Sequence, residues 1–99
     1  MKAHYQLAKY AIKTMGFSIS VDDGDEDGEF SLERSTSIKA VVDACEAVDE
    51  SHMFFFDKDG KKQSWAFIVL GNDGGDEVSD YGVTDWIDAF FNTTVMKEV

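Results

Sequence analysis

HMFFF (52–56), DKDG (57–60) and QSWAFIVL (63–70) decide the fold, because two apolar runs joined by a short Asp- and Gly-bearing turn read as a β-hairpin. Both arms are apolar at odd and even positions alike. Trp65, Phe67 and Val69 point one way, and Ala66, Ile68 and Leu70 point the other. The second arm is therefore expected either at the centre of a sheet or with its second face given to a partner.

Working outward, the segment before the hairpin carries Ile38, Val41, Val42, Cys45 and Val48 at helical spacing after the polar run Ser35-Thr36-Ser37, which offers a capping hydroxyl. Further back, Phe17, Ile19 and Val21 alternate with serines, and Phe30 and Leu32 alternate with Glu29, Ser31 and Glu33. These predict two half-buried strands joined by the acidic loop DDGDEDG (22–28). Ala3, Leu7, Tyr10, Ala11 and Met15 predict an N-terminal amphipathic helix ended by Gly16. Beyond the hairpin, EVSDY (77–81) is expected as a fifth strand. Thr84-Asp85 opens a last helix with Trp86, Ile87, Phe90, Phe91 and Thr94 on one broad face. The order α-β-β-α-β-β-(β)-α implies a single α+β domain over residues 1–99. Its antiparallel sheet has four or five strands, with helices mainly on one face.

The chain's 20 Asp+Glu against 9 Lys+Arg give a net charge of −11. Residues 1–21 hold three lysines and no acid, so the negative charge belongs entirely to residues 22–99. Such a field disfavours direct binding of nucleic acid or of a membrane surface and favours basic protein partners. No apolar run is long enough to span a bilayer. The lysine-interrupted N-terminus lacks a secretory pattern, and a lone cysteine makes no internal disulfide; a cytoplasmic location is expected.

Asp23-Gly24-Asp25-Glu26-Asp27-Gly28 fits the opening of a calcium-binding EF-hand loop, but the position of the bidentate glutamate falls on Arg34. The alternating flanks read it instead as a solvated hairpin tip, with nonspecific divalent binding at 22–29 left open. Cys45 lies on an apolar stripe, and His4 and His52 lack a ligand or catalytic spacing. No catalytic residue, metal site or cofactor is expected, and the chain reads as a non-enzyme.

Two features point to binding. Asp22, Asp23, Asp25, Glu26 and Asp27 in the first loop, with Asp43, Glu46, Asp49 and Glu50 on and after the second helix, form candidate partner-binding acids. The charge is compatible with mimicry of DNA, since eleven charges match roughly 19 Å of duplex axis. The aromatic C-terminal half is the rival, with Phe55, Trp65 and Phe91 as candidates for an apolar dimer or partner patch.

LERSTSI (32–38) and WAFIVLGNDGGDEVSDY (65–81) resemble segments of small acidic proteins of unassigned function from tailed bacteriophages. The resemblance implies a protein that inhibits host machinery by docking on a basic, nucleic-acid-binding surface in the host cytoplasm. The alternative is a structural or regulatory homodimer whose acidity serves solubility alone.

Overall fold

Alternation and helical periodicity are realised in a computed structural model that describes residues 3–22, 31–71 and 77–92. Helix α1 (Ala3–Lys9) continues into a π-helical turn, Tyr10–Thr14, where the chain widens so that the Met15 amide donates to the Tyr10 carbonyl at 3.1 Å. Gly16 then takes φ +74°, a left-handed conformation that glycine adopts without steric cost, and turns the chain into β1 (Ser18–Asp22). Strand β2 (Leu32–Ser35) begins later than the alternation predicts, and Phe30 lies outside the described residues. Ser37 caps α2 (Ile38–Glu46), its hydroxyl accepting from the Ala40 amide at 3.2 Å. β3 (Glu50–Phe56) and β4 (Lys62–Val69) form the expected hairpin, EVSDY supplies β5 (Val78–Tyr81), and α3 (Asp85–Phe90) follows.

The five strands are antiparallel throughout, in the order β2-β1-β3-β4-β5. The centre is thus β3, and β4 is the inner strand beside it. Both strands at the edges are four residues long, and each is irregular. β2 carries two residues, Glu33 and Arg34, opposite Ser20, and the β4–β5 register shifts between Phe67 and Ile68. Arg34 adopts φ +42°, unusual for a side chain with a Cβ, and its amide donates to the Ser20 hydroxyl at 2.9 Å.

Helices α1, α2 and α3 pack on one face of the sheet. Ile19, Val21, Met53, Phe55, Ala66 and Ile68 meet Leu7, Ala8, Ala11, Val41, Cys45, Ile87 and Phe90 in one core. The Trp86 indole stands edge-on to Phe55 at 4.9 Å and to Phe17 at 5.2 Å, while Tyr10 lies stacked beyond it. Phe55 is 0% exposed and belongs to this core, so it is not the partner-facing aromatic that the sequence suggested. Register is the reason: Phe55 pairs with Ile19 and Ser64, whose side of the sheet is the helix side.

Asp57 organises the β3–β4 turn. One carboxylate oxygen accepts from the Asp59 and Lys61 amides at 2.9 Å each, and the other accepts from the Gln63 side chain at 2.7 Å. The Lys61 amide is the main reason its carboxyl is held below the usual aspartate value. A depressed folded value means that this contribution is full above the ordinary aspartate range, near 4, and is lost as pH falls through the folded value. Urea midpoints measured between pH 6 and pH 3 should accordingly fall more for the native chain than for Asp57→Ala. Parallel pH profiles of the two would count against this role.

Candidate functional site

Strand direction sorts the charges. β1 and β4 run one way and β2, β3 and β5 the other, so one end of the sheet collects Asp22, the attachment points of segment 23–30, Glu50, Glu77 and the attachment points of segment 72–76. Helix α2 runs from the end of β2 to the start of β3, which brings Glu46 and Asp49 to that same end. Lys13, Arg34, Lys39, Lys58, Lys61 and Lys62 lie toward the other end, where Asp57, Asp59, Asp85 and Asp88 offset part of their charge.

Of the predicted acids, Asp23, Asp25, Glu26 and Asp27 lie outside the described residues, and Asp22 closes β1 opposite His52. Asp43 is exposed but bonded to Lys39 at 2.6 Å, a contact that also raises the lysine's pKa. Glu46 reaches the buried His4, with Oε2 2.9 Å from Nε2. Asp49 and Glu50 are exposed at the α2–β3 turn. The helical strip therefore contributes Asp49 and Glu50 most directly, while Asp43 and Glu46 are engaged within the fold.

Segment 23–30 is flanked by antiparallel strands, whereas an EF-hand loop is flanked by helices. The Arg34 guanidinium lies 5.0 Å above the Phe56 ring and is packed against Gly60. Among the described residues no group of three or more His, Cys, Asp or Glu side chains is gathered to hold a metal ion. Cys45 is fully buried, and burial pushes its thiol up to about 11, which suits a core side chain better than a nucleophile. No described helix is long and apolar enough to cross a membrane.

The remaining candidates separate by face. Phe91 is on the helix side, stacked on Tyr81 at 4.5 Å. Trp65 is half-buried on the opposite face, where register aligns it with Phe54, and His52 with Phe67. His52 and Phe67 stack at 4.8 Å, and Lys62 sits 5.4 Å above the Phe54 ring. This second aromatic row, His52, Phe54, Phe56 and Phe67 beside Trp65, is absent from the residues that the sequence singled out for binding. The signal for it lies in β1, whose polar residues Ser18, Ser20 and Asp22 pair with Phe56, Phe54 and His52. A polar parity on β1 marks that side of the sheet as the one without helices, once the register is known.

Comparison with protein-family models, curated proteins and solved structures yields no match.

Proposed function

We propose that the chain is a non-enzymatic binding protein of the bacteriophage kind that its LERSTSI and WAFIVLGNDGGDEVSDY segments resemble. Its acidic end docks on a basic, nucleic-acid-binding surface of a host protein inside the cell and occludes it. The observation that supports this reading is the segregation of charge: Asp22, Asp49 and Glu50 share one end of the sheet with the attachment points of the acid-rich segments 23–30 and 72–76. An even distribution would serve solubility equally well, whereas a one-ended one creates a directional field that steers the acidic end toward cations first. The buried, high-pKa Cys45 favours a binding role over nucleophilic chemistry.

Affinity capture from a bacterial lysate tests it. The immobilised chain should retain a basic protein at low salt and release it as ionic strength rises. Joint replacement of Asp22, Asp23, Asp25, Glu26 and Asp27 by their amides should weaken retention at least tenfold, about 1.4 kcal/mol. Failure to capture a basic protein at low salt, or capture indifferent to both salt and the amide replacements, would sink the reading.

A further inference from the structure

We infer that the face of the sheet opposite the helices is a self-association surface, on which a second copy of this chain packs sheet to sheet with its strands reversed. The face has an apolar middle. His52, Trp65 and Phe67 are half-buried there, and among the described residues no helix packs over them. A sheet covered on one side ordinarily turns polar residues outward, as β1 does with Ser18 and Asp22; β3 and β4 instead turn out aromatic rings.

Charge on this same face selects the occupant and its orientation. At one end stand Asp22 and Glu50, and at the other Arg34 and Lys62, held over the rings of Phe56 and Phe54. A two-fold axis lying between the sheets and perpendicular to the strands places Lys62 of each copy over the β3–β4 end bearing Glu50 of the other. The same operation sets Arg34 over the Asp22 end of β1. Strands laid parallel would stack acid on acid and cation on cation. The two inner faces then interdigitate as in a β-sandwich, about 10 Å apart. The contact is isologous and closes at two copies. A nucleic-acid strand fits this face less well, because its backbone would have to cross the acidic end. The inference is independent of docking by the acidic end, so either can fail alone.

Sedimentation equilibrium of the full chain from micromolar to near-millimolar concentration is the test. The native chain should form a dimer, and Phe67→Glu, which forces a carboxylate into the apolar interface, should return it to monomer with an unchanged circular dichroism spectrum. Lys62→Glu and Glu50→Lys should each weaken the dimer about tenfold, and the chain carrying both should recover it, because the reversed pair again attracts. These two positions are exposed, so the charge-swap series decides the matter even if Phe67→Glu fails to fold. A native chain that stays monomeric overturns the inference, as does a dimer indifferent to Phe67→Glu or one that the double reversal fails to restore. A monomer whose Trp65 fluorescence responds to oligothymidylate would give the face to nucleic acid instead.

Discussion

Phe55→Ala is expected to cost about 3–5 kcal/mol of folding free energy, the range for emptying a buried phenylalanine site. The ring is fully buried and meets the edge of Trp86 at 4.9 Å, with Ile19 and Ser64 beside it in register. Truncation removes apolar burial and leaves a cavity between sheet and helices that the rigid neighbours fill only in part. A domain of this size has a total of about 5–15 kcal/mol, so the loss consumes a large share. Chemical denaturation of the variant, followed by tryptophan fluorescence, checks it. Trp65→Ala supplies the contrast: its side chain lies half-buried on the opposite face, and its cost should be less than half as large. Equal costs would mean that the two faces of the hairpin had been misassigned.

Glu77→Ala is expected to lower stability by about 2–3 kcal/mol, chiefly through loss of its charge-assisted hydrogen bond to the first turn of α1. Glu77 is 4% exposed, and its carboxylate accepts from the Ala3 amide at 2.7 Å across 74 positions of sequence. An anionic acceptor at a helix start complements the partial positive charge there. Truncation leaves the Ala3 amide buried without its partner and frees the first turn of α1. Amide hydrogen exchange should therefore accelerate in Ala3–Lys9 more than in β3 and β4. Uniform acceleration would show that Glu77 stabilises the fold at large instead of anchoring the helix.

Local periodicity made most elements readable. The stripe Ile38-Val41-Cys45, the capping Ser37 and the turn Asp57–Gly60 each depend on neighbours in sequence, and each is found as read. The functional surface depends on register, which local sequence leaves undefined when both parities are apolar. In HMFFF nothing distinguishes Phe55 from Phe54 and Phe56 until the pairing with Ile19 assigns Phe55 to the helices. The gathering of Asp22, Asp49 and Glu50 at one end likewise required the strand order, since Asp22 belongs to the β1–β2 connection and Asp49 and Glu50 to the α2–β3 connection. Asp43 and Glu46 looked equivalent to them in sequence because Lys39, one turn before Asp43, and His4, 42 positions before Glu46, are partners that only the fold sets in place. The Ala3–Glu77 tether is equally invisible, as no pattern links residues so far apart.

The irregular outer strands bear on how this chain behaves when crowded. A strand of four residues, interrupted by Arg34 at φ +42° on one flank and by a register shift on the other, is a poor template for main-chain pairing with a newcomer. Growth of the sheet by lateral addition, the route by which fibrils elongate, is thereby discouraged on both flanks. These edges therefore offer concentrated protein no ready template for open-ended growth, even under conditions that neutralise its carboxylates and remove their mutual repulsion.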